Sequence, residues 1–345
     1  MRAGATYNWI HRVWYEDAPS GWVLLPLSGL YWLILGVRKF LYDCGIFKTH
    51  KVTVPVVVVG NITAGGTGKT PTVLWLVEQL RARGFTPGIV SRGYGGRKSN
   101  APMRVEGDSA ADVVGDEPVL LARRSDCPVV VDANRTRAAA MLAEDGVDVI
   151  IADDGLQHYR LGRDYEICVI DGARGLGNRR LLPAGPLRES PERLTRVDQL
   201  LVNGPMQASD HLSVAEQNAL EFELVATDAC RLNGSLVRPL ERFAGSAVHA
   251  VAGIGNPPRF FDMLRGQGIQ VVEHAFPDHA ALTRKDVEFG DDFPVFMTEK
   301  DAVKLGPTVN DKFWYIPVTL TMDPVLALPL IEQIESRLRA GRGGP

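Results

Sequence analysis

The run Thr63-Ala64-Gly65-Gly66-Thr67-Gly68-Lys69-Thr70 constrains this chain more than any other stretch, because it calls for a glycine turn between a buried strand and a helix N-terminus. Before it, Val54-Pro55-Val56-Val57-Val58-Val59 is β-branched and short enough for a buried strand. After it, Pro71 opens an amphipathic helix predicted to reach about Arg83. Glycines at 65, 66 and 68 let the backbone turn its N–H groups inward, and the helix N-terminus adds partial positive charge where phosphates would sit. Thr63, Ala64, Gly65, Gly66, Thr67, Gly68, Lys69 and Thr70 are therefore the candidate phosphate cradle. Within it Lys69 reaches the β- and γ-phosphates of ATP or GTP and Thr70 holds Mg2+. Thr63 stands where the common G-x-x-x-x-G-K-[ST] pattern has glycine.

Downstream, apolar runs alternate with helical patterns. Gly88–Ser91, Pro128–Asp132 and Val147–Ala152 read as strands, with a helix over Arg135–Glu144 and a glycine-punctuated loop at Arg92–Arg97. Helices between parallel strands imply a doubly wound sheet. A polar, turn-rich stretch at Asn203–Ser213 reads as a boundary. A second α/β pattern follows, with strands at Ala247–Ala252, Ile269–Val272, Val295–Met297 and Trp314–Leu320. The domain expectation is an N-terminal membrane anchor at 1–45, a P-loop domain at 46–205 and a C-terminal α/β domain at 206–345 that completes the site.

The anchor rests on residues Ala18 to Val37, which carry no charge and would span about one bilayer core as a helix. Trp14 and Tyr15 precede the run, and Phe40 and Tyr42 follow it, as interfacial aromatics would. Arg38, Lys39, Lys48 and Lys51 on its C-terminal side put that side in the cytoplasm by the positive-inside rule. A cleaved signal peptide is the main rival, but no small-x-small cleavage site follows. Pro19 and Pro26 also suit a segment that dips into one leaflet. With 38 basic and 41 acidic residues the net charge is −3, so the overall balance does not suggest a nucleic-acid binder. Cys44, Cys127, Cys168 and Cys230 are scattered without a C-x-x-C pair, as thiols of a reducing compartment are.

A second chemical signal is Ile150-Ile151-Ala152-Asp153-Asp154-Gly155, an apolar strand ending in two carboxylates. Beside a P-loop such a carboxylate contacts Mg2+, and the sequence leaves open whether Asp153 or Asp154 does so. Neighbouring side chains on an extended strand face opposite ways, so one should face the metal and the other brace a nearby loop. Gly115-Asp116-Glu117-Pro118 reads by itself as a helix start, and Pro277-Asp278-His279 as a turn. An alcohol acceptor nevertheless needs a positioned base, which a carboxylate or a carboxylate–histidine pair supplies.

Taken together, Gly60–Pro71, Ser91-Arg92-Gly93-Tyr94-Gly95, Gly115–Pro118, Asp153-Asp154-Gly155-Leu156-Gln157-His158, Leu182–Glu189 and Thr298–Lys304 resemble the tetraacyldisaccharide 4'-kinase (lipid A 4'-kinase) family. With the N-terminal apolar segment these motifs run through nearly the whole chain in one order. The resemblance implies ATP-dependent phosphorylation of the 4'-hydroxyl of an acylated glucosamine disaccharide, a glycolipid, at the cytoplasmic face of a bacterial inner membrane. It also implies Asp116 as the base, His279 as its partner from the second domain, Arg188 as a stabiliser of the transferred phosphoryl group and Glu189 as an aid to the metal shell. Glu117 and His158 are further candidates. The fold expected is a P-loop kinase-type, mostly parallel sheet with flanking helices, a smaller α/β domain and an N-terminal membrane helix. The rival function is a membrane-tethered P-loop switch, which would hydrolyse ATP or GTP without an acceptor. A non-catalytic nucleotide-binding scaffold is a third reading, which Lys69, Asp153 and Asp154 argue against.

Overall fold

The computed structural model describes residues 2–206, 219–278, 280–306 and 310–341. Two N-terminal helices, α1 (Arg2–Tyr15) and α2 (Leu25–Asp43), are joined by a 3-10 turn at Pro19–Leu24. The next strand, β1 (Val56–Gly60), runs into the glycine turn and α3 (Lys69–Arg81). The chain continues through β2 (Pro87–Ser91), β3 (Met103–Val105), α4 (Ala111–Val114), α5 (Asp116–Ser125), β4 (Val129–Val131), α6 (Arg135–Glu144), β5 (Val149–Asp153), β6 (Tyr165–Asp171) and β7 (Gln199–Asn203). Beyond residue 218 come β8 (Ala219–Val225), β9 (Asp228–Arg231), β10 (Val237–Pro239), β11 (Ala247–Ala252), α7 (Pro257–Gly266), β12 (Gln270–Ala275) and α8 (Arg284–Val287). The last elements are β13 (Val295–Thr298), α9 (Glu299–Leu305), β14 (Phe313–Ile316), β15 (Thr319–Thr321) and α10 (Pro324–Gly341).

A nine-stranded sheet has the order β15-β8-β7-β6-β1-β5-β2-β4-β3, and a six-stranded one the order β10-β9-β14-β13-β11-β12. In the larger sheet the strands from β8 to β4 run parallel, with β15 and β3 antiparallel at the two edges. β1 lies at its centre and shows why the β-branched run was needed. Val57 and Val59 point into the core under α3, α5 and α10, while Val56 and Val58 point into the core under α6. A strand covered on both faces needs an apolar residue at every position.

The domain boundary expected near residue 205 falls between β7 and β8, which pair in parallel. Residues 219–225 and 319–321 therefore belong to the larger sheet, and α10 packs Ile331, Ile334 and Leu338 into its core. The smaller sheet is built from residues 228–316. Phe243, Phe296 and Trp314 meet edge-to-face at its centre, with ring separations of 4.9 and 5.3 Å. Three ion pairs join α5 of the larger unit to α9 of the smaller: Arg124–Glu299 at 2.7 Å, Lys300–Glu117 at 2.9 Å and Lys304–Asp116 at 3.8 Å.

Pro19–Asp43 is long and apolar enough to cross a membrane, and 11% of its most apolar window is buried in the protein. One side of α2 is pinned to the larger unit along much of its length. Ser28 donates to Leu181 O, Tyr31 to Arg188 O and Arg38 to Gln157 O, at 2.7, 3.0 and 2.9 Å. Away from these bonds the helix exposes Leu27, Leu30, Leu33, Ile34, Val37 and Phe40, and Trp22 precedes it in the same condition.

Candidate active site

Parallel strands deliver their C-terminal ends to one edge, and there the site residues collect. β1 ends at Gly60, and the turn that follows is held from outside by a second segment. Ala64 N donates to Pro186 O and Arg188 N to Ile62 O, each at 2.7 Å, and Thr63 bridges Leu187. Thr63 and Ala64 thus fasten the base of the loop, and the same bonds place Arg188 beside it. Gly68 adopts φ 102°, and a Cβ there would stand 2.8 Å from Asn203 Nδ2, so only glycine fits between β7 and the start of α3.

Gly65, Gly66, Thr67, Gly68, Lys69 and Thr70 line one cavity of about 550 Å3 together with Asp154 and Arg188. Asp154 Oδ1 lies 3.6 Å from Lys69 Nζ, and its Oδ2 lies 3.1 Å from Arg188 Nη1. Burial opposes ionisation of Asp154, yet Lys69, Arg188 and Arg135 outweigh it and hold the carboxyl well below the usual range. Asp154 takes the left-handed conformation, φ 47°, so the chain turns directly after β5 instead of continuing its alternation. Arg135, fully buried at the start of α6, donates to the carbonyl oxygens of both aspartates and secures that turn.

Asp153 faces the other way. Its Oδ2 accepts from Ser91 at 3.0 Å, bracing the head of the Arg92–Arg97 loop, while Oδ1 is buried without a partner among the described residues. Burial raises its pKa to about 7, with Glu117 and Asp154 adding to the rise. Thr70 and Asp154 line the cavity, whereas Asp153, with its unpartnered oxygen, does not. The donor set therefore fits Mg2+, which needs only one or two carboxylates when phosphates supply the rest.

Glu189, expected to assist the metal shell, is not among the residues lining the cavity. Its oxygens accept from Gln157, at 2.7 Å, and from Tyr159, and Arg193 lies at 3.6 Å. It braces the turn after Asp154 against the Arg188 segment. His158 is held neutral, its pKa lowered to about 3 by burial and by Arg135 and Arg163.

Asp116 opens α5 and is 7% exposed. Its Oδ1 accepts from Glu117 N at 3.0 Å, and Lys304 of the smaller unit lies 3.8 Å from Oδ2. Glu117 and Asp278 reach the cavity and share Lys300, at 2.9 and 3.2 Å. These acids raise the Lys300 pKa against the effect of its burial. His279 lies outside the described residues.

Several participants were not read from the sequence. Arg135 and Asn203 follow or end parallel strands, where a polar residue after an apolar run is a usable signal. Arg259 of α7 enters the same cavity and donates to Asn203 Oδ1 at 2.5 Å. Leu74, Leu224, Ile254, Phe260, Met263, Ile316 and Val318 add an apolar lining to the same cavity, assembled from both units and invisible in any one segment.

Residues 20–336 match the model of a family described as tetraacyldisaccharide-1-P 4'-kinase. The chain is 47% identical to the tetraacyldisaccharide 4'-kinase of Nitrosococcus oceani over 314 residues, covering 91% of this chain and 90% of the relative. It is 47% identical to that of Methylobacillus flagellatus over 337 residues, covering 96% of each, and 46% identical to that of Pseudomonas aeruginosa over 313 residues, covering 90% and 92%. In three dimensions it resembles a crystal structure of LpxK from Aquifex aeolicus in complex with ATP, with a TM-score of 0.74 and 30% identity over 92% of this chain and 99% of that one.

Proposed function

The chain belongs to the tetraacyldisaccharide-1-P 4'-kinase family, and on that premise we propose that it transfers the γ-phosphoryl group of ATP to the 4'-hydroxyl of a tetraacyldisaccharide 1-phosphate, a lipid A precursor. The observation that carries this reading is the convergence of Lys69, Arg188 and Asp154 on one cavity whose lining includes both the glycine cradle and apolar side chains from the two units. A triphosphate and a flat purine need those two surroundings. The hydroxyl oxygen forms a bond to the γ-phosphorus as the bond to the β-bridging oxygen breaks, leaving ADP, and the hydroxyl proton passes to a carboxylate.

Lys69 and the loop amides hold the β- and γ-phosphates, and Arg188 meets the charge that spreads over the transferred group. Thr70 and Asp154, which line the cavity, are the ligands this chain offers to Mg2+, with the unpartnered oxygen of Asp153 on the neighbouring residue. Mg2+ held by these residues would neutralise charge on the phosphate oxygens. Asp116 is the base, with His279 orienting it, and Lys304 is a cation already placed beside Asp116.

The same reading places the enzyme at the cytoplasmic face of a bacterial inner membrane. Hydrogen bonds from Ser28, Tyr31 and Arg38 keep one side of α2 against the protein, which supports a helix lying in one leaflet with Leu27, Leu30, Ile34 and Val37 toward the acyl chains. The test is to supply γ-labelled ATP and the disaccharide lipid 1-phosphate to the purified protein. Label in a bisphosphorylated glycolipid is expected. ATP hydrolysis that ignores the glycolipid would refute the kinase reading.

A further inference from the structure

Arg174 stands on the turn that leaves β6, and its guanidinium reaches three parts of the molecule at once. Nε donates to Asp171 Oδ2 at 3.1 Å, Nη1 to Gly255 O at 2.9 Å and Nη2 to Gly66 O. Gly66 lies in the phosphate cradle, and Gly255 in the turn between β11 and α7 of the smaller unit. The two backbones touch there, since a Cβ on Gly255 would stand 2.2 Å from Gly66 N. On its other side the guanidinium faces the ring of Tyr15 in α1, 5.7 Å from the centroid. Asp171, 3% exposed, is the fixed point of this arrangement and also accepts from Asn256 Nδ2 at 3.2 Å.

In a trans peptide the C=O of one residue and the N–H of the next point in opposite directions. Holding Gly66 O from outside therefore aims Thr67 N–H toward the interior of the cradle. Asn203 does the same one peptide later, donating to Thr67 O at 3.1 Å and so aiming Gly68 N–H. Glycines would otherwise leave these peptides free to rotate, and a loop that must be ordered by its ligand binds that ligand more weakly.

We propose that Arg174 is a positioning residue for the nucleotide: it presets the Gly66–Thr67 peptide and locks that peptide to the Gly255 turn, so that ATP affinity depends on the seating of the smaller unit. The proposal rests on the kinase reading of the cleft. It requires both arms of a planar fork, which lysine lacks.

The experiment is steady-state kinetics on the full chain with varied ATP. Arg174→Lys keeps a cation beside Asp171 but cannot hold both carbonyls, and it is expected to raise the KM for ATP about tenfold with kcat within about twofold. Gly255→Ala keeps the arginine but drives the two turns apart, and should raise the same KM. In the double variant the two effects should not multiply, because they break one contact. Thermal melts accompany each variant, and if Arg174→Lys melts far below the parent, Gly255→Ala decides. A Lys variant with parental KM would show that Arg174 only neutralises Asp171, and a Gly255→Ala enzyme with parental KM would show that the contact does not reach the nucleotide. Either result overturns the proposal while the parent enzyme still phosphorylates its acceptor. A parent without transfer overturns the kinase reading instead.

Discussion

Lys69 and Asp154 form an ion pair of 3.6 Å at the mouth of the glycine turn, and Arg188 closes on the same carboxylate from the other side. The cation proposed to meet the phosphates is therefore prepositioned by an acid from the neighbouring strand. Lys69→Ala should lower the phosphoryl-transfer rate by at least about 100-fold, since a positioned cation at the transferring group contributes on that scale. Initial rates with saturating glycolipid measure it. A near-normal rate would remove the P-loop from the mechanism.

The base assignment predicts a pattern across two variants. Asp116→Ala and His279→Ala should each lower kcat by about 10²–10⁴-fold with ATP affinity within a few-fold, because neither group has to touch the nucleotide. The double variant should be little worse than the poorer single, as groups acting as one unit are not additive. Losses that multiply, or loss of ATP binding in Asp116→Ala alone, would place Asp116 with the metal ligands.

Deleting residues 1 to about 45 should release protein from membranes that still binds ATP but handles lipid poorly. The cost to folding should be visible as well, since the carbonyls of Leu181, Arg188 and Gln157 lose their donors from α2. Flotation with vesicles and ATP titration check both halves. A truncated protein that stays membrane-bound after a high-salt wash would mean that another surface carries the attachment.

His158 gives a pH dependence with a definite sign. Its pKa is about 3 in the folded protein, lowered by burial and by Arg135, Arg163, Arg38 and Arg92, against about 6.5 in an unfolded chain. Between those values the unfolded chain binds a proton that the folded protein does not, so stability falls as pH drops from about 7 toward 4. His158→Asn removes this titration. Between about pH 7.5 and about pH 5 the variant should therefore lose less melting temperature than the parent, and equal losses would locate the acid sensitivity elsewhere.

How legible the fold was depended on what each segment buries. Ala247–Ala252, covered on both faces, and Arg135–Glu144, which buries Ala138, Ala139 and Leu142 on one, stand where their apolar patterns put them. β6 and β7 escaped notice, although both are wholly buried. β6 carries Glu166, which is tolerated inside only because Arg163 and Arg193 pair with it at 2.8 and 2.5 Å, contacts a linear pattern does not reveal. Trp314–Leu320, read as one strand, divides at Pro317 into β14 and β15, which join different sheets. Among site residues, motif spacing was enough to bring Gly65–Thr70 to one cavity, but not to reveal that Pro186, Arg174 and Asn203 hold the loop from elsewhere in the chain. Glu189 shares the motif of Arg188, yet its neighbours Gln157 and Tyr159 come from another turn, and they divert it from the cleft.

The smaller sheet is attached to the larger by two chain passages, outward from Val225 to Asp228 and back from Ile316 to Thr319. They lie side by side, because Val225 and Thr319 are paired across β8 and β15. Two adjacent tethers define one pivot. Twisting about the line through them needs dihedral changes at Ala226-Thr227 and Pro317-Val318, and it works against the three ion pairs from α5 to α9. The cleft is in this sense a jaw with a single joint, and any turn at that joint is felt where Gly255 of the smaller unit meets Gly66 of the glycine turn.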